Sequence, residues 1–253
     1  MDILNNTPLY LLTRDNPKTV KGRKDGIMTA IMHLAPASLS GANVCAHATD
    51  GCAAACLNTA GRGGIGLDAN GLNAIQIARI QRTRFFRRDR DAFLTMLRRE
   101  IDTFLRYVRR HGFTPAIRLN GTSDLPWENI RFFDHDNVFT AYPDVQFYDY
   151  TKYPVRLRKI DIPNYHLTFS LAESNRVNAI AAIRAGVNVA AVLRVGRNDP
   201  MPRTLSFGGS WRRVIDGDAT DARFTDAGGC IVGLRAKGRA RRDTSGFVLD
   251  VAR

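Results

Sequence analysis

From residue 27 to residue 235, short apolar segments recur, and each is followed at once by polar residues. The predicted strands are 27–34, 115–119, 145–147, 165–169, 187–193, 214–215 and 230–234, and a further helix is predicted at 175–185. Strands that alternate with helices form parallel sheets, whose polar strand ends meet at one edge. The pattern predicts an α/β fold, either a full or partial parallel (β/α) barrel of TIM-barrel type or a doubly wound open sheet.

The chain has the length of one large α/β domain. Its 253 residues contain no linker rich in Pro, Gly or Ser, so we expect a single domain over 1–253. Within it we expect an N-terminal arm at 1–25, a Cys- and Gly-rich loop at 38–70, and a basic amphipathic helical segment at 71–111. Apolar residues recur at helical spacing in that segment, and Gly112 ends it.

Three of the four cysteines, Cys45, Cys52 and Cys56, fall within twelve residues of the loop after the first predicted barrel strand. Thiolates bind soft or borderline metals, and three in one short loop can surround a single centre. The spacing, with six and then three intervening residues, is not that of a zinc ribbon. We therefore expect a metal site with one open coordination position. Zinc with His47 or Cys230 as fourth ligand is the main alternative, and buried thiols without a metal are the simplest one.

The place of this loop, directly after the first barrel strand, resembles the layout of radical S-adenosylmethionine enzymes. In those enzymes three cysteines hold three irons of a [4Fe–4S] cluster, and the fourth iron binds the amino and carboxylate groups of the cofactor. Their usual spacing is three and then two residues, so the resemblance is one of architecture. It implies a [4Fe–4S] cluster with S-adenosylmethionine as cofactor.

Polar residues at the ends of the other strands are candidates for catalysis and binding. Carboxylates and an amine that can exchange protons are Asp124, Asp149, Lys152 and Glu173. Candidates for binding the cofactor or the substrate are Asn120, Thr122, Ser123, Ser170, Asp216, Asp218 and Lys237. Each also has a structural alternative, because these residue types cap helices, form Asx turns or pair with one another.

The net charge of +13 favours a polyanionic partner. Arginine dominates, and its planar guanidinium suits phosphate. The predicted nucleic-acid contacts are Arg79, Arg82, Arg84, Arg87, Arg88, Arg239 and Arg241. A solvated helix face is the alternative. No apolar run is long enough for a membrane span and no secretory signal is visible, so we expect no membrane partner and a cytoplasmic location.

Several stretches together resemble the phage "gene product 88" family. They are HLAPASLSG at 33–41 with the cysteines, LNTAGRGG at 57–64, RLNGTSDLPWE at 118–128, FYDYTK at 147–152, HLTFS at 166–170 and VIDGD at 214–218. The resemblance covers most of the chain. It implies a phage or prophage origin, and so the host cytoplasm during infection, but it supplies no catalytic residues.

Three functions fit the sequence. The first is a phage enzyme with an iron–sulfur or metal site that modifies nucleic acid or nucleotides in the manner of radical S-adenosylmethionine enzymes. The second is a transglycosylase-like enzyme for deazaguanine DNA modification, with Asp124, Asp149 and Asp216 as candidate nucleophile and base. The third is a non-catalytic, zinc-containing protein that binds nucleic acid or acts in host takeover.

Overall fold

The computed structural model describes residues 3–15, 19–159 and 161–251, so parts of the predicted arm at 1–25 lie outside the described residues. The strands are β1 Leu12–Thr13, β2 Ile27–Met32, β3 Thr114–Arg118, β4 Gln146–Thr151, β5 Tyr165–Ser170, β6 Val189–Leu193, β7 Thr204–Phe207, β8 Ser210–Asp216, β9 Ile231–Arg235 and β10 Val248–Leu249. The helices are α1 Asp50–Ala54, α2 Ala74–Arg88, α3 Arg90–Arg110, α4 Val138–Ala141, α5 Pro154–Lys159 and α6 Arg176–Arg184.

The strands form one mostly parallel sheet in the order β1-β2-β3-β4-β5-β6-β9-β8-β7. All pairs from β2 to β8 along this path are parallel, and β10 also pairs in parallel with the end of β6. The prediction of an α/β fold with a parallel sheet is confirmed. Because β2 to β6 are parallel and are neighbours in chain order, their polar C-terminal ends lie side by side at one edge of the sheet.

The described residues form an open sheet and not a full barrel. Closure would require β2 to pair with β8, but antiparallel strands occupy both of those edges. β1 pairs with the end of β2, and β7 pairs with β8 in a hairpin. Short antiparallel strands at the two ends are a common way to protect the edges of a sheet. The sequence pattern missed both, since β1 has two residues and β7 has four.

The predicted helical segment at 71–111 consists of two helices that meet at Asp89. The carboxylate of Asp89 accepts a hydrogen bond from the backbone N–H of Ala92 and so caps the start of α3. The apolar stripe of α3 is buried in the main core, and Gly112 ends the helix with φ 70°. Within the described ranges, no helix is both long and apolar enough to cross a membrane.

β4 extends to Thr151, further than the predicted strand at 145–147. Successive side chains of a strand point to opposite faces, so Tyr148 and Tyr150 lie on one face and Asp149 on the other. The segment after β8 covers the face that bears the tyrosines. There Asp221 accepts a hydrogen bond from the Tyr148 hydroxyl at 3.0 Å and pairs with Arg118 at 3.3 Å.

Candidate metal and ligand site

A cavity of about 460 Å³ lies at the C-terminal ends of the parallel strands. This is the edge at which α/β proteins bind their ligands, and the volume suits a nucleoside-sized molecule. Many of the predicted site residues line it together: Cys45, Cys52, Cys56, Asn120, Thr122, Ser123, Asp124, Lys152, Ser170, Asp218, Lys237 and Arg239. Predicted residues that do not line it are Asp149, Glu173, Asp216, Arg79, Arg82, Arg84, Arg87, Arg88 and Arg241.

Cys45, in the segment between β2 and α1, is attached to the turn that follows β3. Its thiol lies 3.6 Å from the carbonyl oxygen of Thr122, and the neighbouring Val44 carbonyl accepts a hydrogen bond from the Asp124 N–H. Gly121, in the same turn, packs against β2 so closely that a Cβ would lie 2.6 Å from the carbonyl oxygen of Met32. The glycine therefore allows the turn and the cysteine segment to approach each other.

Cys52 lies on α1, and a carboxylate in the segment after β5 anchors this helix. The carboxylate of Glu173 accepts hydrogen bonds from the Thr49 hydroxyl and the Gly51 N–H, both at 2.7 Å. Thr49 in turn caps α1 by accepting a hydrogen bond from the N–H of Cys52. Glu173, predicted as a catalytic residue, therefore fixes the position of the cysteine loop.

Cys56 follows α1 and connects the loop to α2. Its sulfur accepts a hydrogen bond from the Asn58 N–H at 3.5 Å. The side chain of Asn58 is buried and bonds to Gln76 and Arg79 of α2. The three cysteines are thus held by three different parts of the fold.

Burial keeps two of these thiols protonated in the absence of a metal. Burial, together with the neighbouring thiols of Cys56 and Cys52 and the carboxylate of Asp124, raises the pKa of Cys45 to about 11. The pKa of Cys56 is raised by burial and by Cys52. A bound cation would offset this cost, because it stabilises thiolate at the same place. The donor set therefore suits a soft metal, although no group of three or more His, Cys, Asp or Glu in the described chain is already arranged around one point.

Neither alternative fourth ligand lines the cavity. Cys230 is buried just before β9 and so lies at the opposite end of that strand, about 17 Å away by strand rise. The ring of His47 stacks on Tyr153 with the centroids 4.1 Å apart. Among the described residues, Cys45, Cys52 and Cys56 are therefore the thiols that line the cavity, and no imidazole lines it.

Most polar side chains of the turn after β3 form hydrogen bonds within the protein. The amide oxygen of Asn120 accepts hydrogen bonds from the Ser123 hydroxyl and the Leu125 N–H, and the Thr122 hydroxyl donates to the Leu34 carbonyl. Within the described protein, the backbone N–H groups of Thr122 and Ser123 have no acceptor. Their donors are available to a ligand in the cavity.

Asp124 and Asp149 are engaged in structural hydrogen bonds. Arg156 pairs with Asp124 at 2.7 Å, and the second oxygen of Asp124 accepts from the Lys152 N–H and the Thr151 hydroxyl. Asp149 lies behind the turn, where it accepts hydrogen bonds from Asn120 and the Tyr165 hydroxyl. Burial raises the pKa of Asp149 to about 7. These contacts make Asp124 and Asp149 positioning residues.

Lys152 and Tyr150 both line the cavity, but the hydroxyl of Tyr150 is buried away from the open space. The Lys152 ammonium donates to the Ser170 hydroxyl at 3.0 Å and forms no described ion pair. The Tyr150 hydroxyl is buried and has no hydrogen-bond partner among the described residues. Burial and the nearby Asp221 carboxylate raise the pKa of Tyr150, so its hydroxyl stays a donor. Sequence reasoning singled out Lys152 but gave no role to Arg118, a charged residue at the end of a largely apolar strand.

Asp216 and Asp218 pair with cations of β9 and the segment after it. Arg235 contacts both carboxylates, and Lys237 contacts Asp218. The backbone carbonyl of Asp218 also accepts a hydrogen bond from Lys21. This arrangement fixes the end of β8 against β9, and Lys237 remains part of the cavity wall. The three aspartates of the transglycosylase hypothesis, Asp124, Asp149 and Asp216, do not line one cavity.

The predicted nucleic-acid arginines divide into two groups. Arg79 and Arg82 point inward, where they donate to the carbonyl oxygens of Asn58 and Tyr10. The others lie nearer the surface: Arg84, Arg87 and Arg88 line a second, basic cavity of about 390 Å³ beside α2, and Arg239 and Arg241 are exposed.

Comparison with known proteins decides the family. The sequence model of gene product 88 matches residues 10–251. The chain belongs to the gene product 88 family. No curated protein and no solved structure matches it. The family prediction is confirmed, whereas the architectural likeness to radical S-adenosylmethionine enzymes stays a hypothesis.

Proposed function

We propose that this gene product 88 protein is an iron–sulfur enzyme that uses S-adenosylmethionine to modify nucleic acid or a nucleotide. One observation carries the proposal. Three cysteines from one loop line the same cavity as the ends of the parallel strands. A partial barrel is the architecture that this layout would require, and the run of neighbouring strands from β2 to β6 is compatible with it.

Cys45, Cys52 and Cys56 would hold the cluster. Burial and the nearby thiols raise the pKa of Cys45 and Cys56, so the site favours a cation that takes up thiolate charge. When bound, a [4Fe–4S] cluster supplies one-electron chemistry to a ligand beside it. Glu173 would keep the loop in place through Thr49 and Gly51.

The cofactor would bind along the wall formed by the ends of β3, β4 and β5. The Lys152 ammonium and the Ser170 hydroxyl would bind its carboxylate, because an ammonium without an acidic partner is a strong donor to an anion. The free N–H groups of Thr122 and Ser123 would bind a second acceptor.

Apolar residues on the cavity wall, among them Ala53, Leu57 and Phe247, would limit the access of water. Exclusion of water strengthens the polar contacts within a site and protects reactive species. Arg239 is exposed at the cavity and would bind a phosphate of the substrate. The net charge of +13 also favours a phosphate-bearing substrate.

The test is binding of labelled S-adenosylmethionine to anaerobically reconstituted protein by equilibrium dialysis, with iron and sulfide measured in the same sample. We expect about one ligand per chain with the cluster present and none in the Cys45→Ser, Cys52→Ser, Cys56→Ser triple variant. Lys152→Met should retain the iron and lose most of the binding. Full cofactor binding by the triple variant would refute the proposal, and so would a reconstituted cluster that binds no S-adenosylmethionine.

A further inference from the structure

The hairpin of β7 and β8 carries an exposed tryptophan. Trp211 is 75% exposed, whereas Trp127, the other tryptophan of the chain, is fully buried. Tryptophan has a large apolar surface and is highly buried on average in folded proteins. The residues around Trp211 indicate what kind of partner it binds.

Four exposed side chains share one face of this hairpin. Ser206 is opposite Trp211 and Thr204 is opposite Arg213, and side chains two residues apart in a strand lie on the same face. On the other face, Phe207 is buried and packs in the second hydrophobic core with Ile183. The outer face is therefore uncovered, while the inner face fixes the hairpin to the body of the protein.

The hairpin is held firmly. Gly208 and Gly209 both have left-handed backbone conformations, with φ of 65° and 81°, as the tightest hairpin turns require. Arg184 of α6 donates a hydrogen bond to the Gly208 carbonyl at 3.1 Å. β8 continues into the parallel sheet by pairing with β9 from Val214 to Asp216. Trp211 thus has a rigid support.

The antiparallel part of this hairpin and the residues that lead into it carry charge of one sign. Residues 201–215 contain Arg203, Arg212 and Arg213 and no acidic residue. Arg203 and Arg213 are exposed, and neither takes part in a described ion pair. Guanidinium groups bind phosphates, and an indole ring stacks on an unpaired base. An indole together with arginines and no acidic residue suits a flexible polyanion better than an apolar protein surface.

We propose that the outer face of the β7–β8 hairpin is a stacking platform for single-stranded nucleic acid. Trp211 stacks on an unpaired base, and Arg213, two residues further along the same face, binds the adjacent phosphate. The inference rests on the proposed function only in its choice of nucleic acid as partner, since it requires no metal. Trp211 lies five residues before Asp216, about 17 Å along the strand that ends near the cavity. A single-stranded oligonucleotide of about a dozen nucleotides is long enough to reach both the outer face of the hairpin and the cavity.

Intrinsic fluorescence of the full, metal-free chain tests the platform, because Trp211 is the exposed emitter and Trp127 is an internal buried reference. We expect a 12-nucleotide poly-dT strand to quench the emission and to protect it from acrylamide. A blunt duplex at equal nucleotide concentration should do much less, because its bases are already stacked. Unchanged acrylamide access at saturating poly-dT would overturn the proposal.

Anisotropy with fluorescein-labelled poly-dT compares the variants. Trp211→Ala should weaken binding about tenfold, and Trp211→Phe should recover most of the loss because phenylalanine also stacks. Arg213→Gln should reduce the slope of log K against log salt by about one. Val177→Ala, at an 81% exposed apolar position on α6, is the matched control and should bind like wild type.

Equal binding by Trp211→Ala and wild type would refute the platform. A blue-shifted Trp211 emission with a mass that doubles in light scattering would assign the face to a second copy of the chain and would also refute it. Because the assay uses metal-free protein, its result is independent of the iron and S-adenosylmethionine measurements. Either proposal can therefore fail alone.

Discussion

Removal of the Arg156 guanidinium should strongly destabilise the protein. Arg156 is buried and contacts both oxygens of Glu128 at 2.7 and 2.8 Å, Asp124 at 2.7 Å and the Tyr165 hydroxyl at 2.7 Å. The side chains of Asp124 and Glu128 are only 11% and 9% exposed, so neither carboxylate can recover its hydration. A buried ion pair broken on one side costs about 3–5 kcal/mol. We expect that loss in the free energy of unfolding for Arg156→Ala.

Urea denaturation followed by far-UV circular dichroism measures the loss, and for a chain of this size it corresponds to a melting temperature lower by roughly 6–20 °C. Arg213→Ala removes an exposed arginine with no described ion pair and should change stability by less than about 0.5 kcal/mol. Arg156→Met keeps most of the volume and should remain destabilised, because the carboxylates still lack a cation. A loss below about 1 kcal/mol for Arg156→Ala, or full recovery with Arg156→Met, would refute this explanation.

Three further predictions concern the site. Glu173→Ala removes the hydrogen-bond acceptor of Thr49 and Gly51, so the affinity of the cysteine site for Co²⁺ should fall about 10- to 100-fold. The absorbance of Co²⁺ bound to thiolate measures this affinity, and an unchanged affinity would contradict the anchoring role. Burial raises the pKa of Asp149 from about 4 to about 7, so folded protein binds the proton more tightly than unfolded protein, and stability should fall as pH rises from 4 to 7. The fall between pH 5 and pH 7.5, measured in urea titrations, should be smaller in Asp149→Asn by about 2–3 kcal/mol, and equal slopes would be evidence against it. Because the pKa of Cys45 is raised, iodoacetamide should modify Cys45 of the metal-free protein at pH 8 about a hundredfold more slowly than it modifies free cysteine. Peptide mass spectrometry measures the rate, and rapid modification would contradict the burial argument.

The main strands and the place of the cavity followed from the sequence, because buried parallel strands are continuous apolar runs with polar ends. β1, β7 and β10 did not, since each has four residues or fewer, and β8 begins with the polar stretch Ser210 to Arg213. The helical segment at 71–111 keeps its apolar period across Asp89, so the break between α2 and α3 was also missed.

For the site, the sequence located polar groups but not their partners. Lys152 and the cysteines lie where their positions after strands predicted. Asp149 is directed away from the cavity by the extension of β4, and Glu173 is occupied by the start of α1. Which carboxylate meets which donor depends on tertiary contacts between residues 16 or more positions apart in the sequence, and no local pattern reports them.

Metal analysis of anaerobically purified protein tests the central claim most directly. We predict absorbance near 400 nm, about four irons and four sulfides per chain in a loaded sample, and loss of both in Cys45→Ser, Cys52→Ser and Cys56→Ser variants. Cys230→Ser, at the far end of β9, is the matched control and should retain the cluster. A colourless protein with one zinc per chain, or variants of the three cysteines that keep their full iron, would contradict the account.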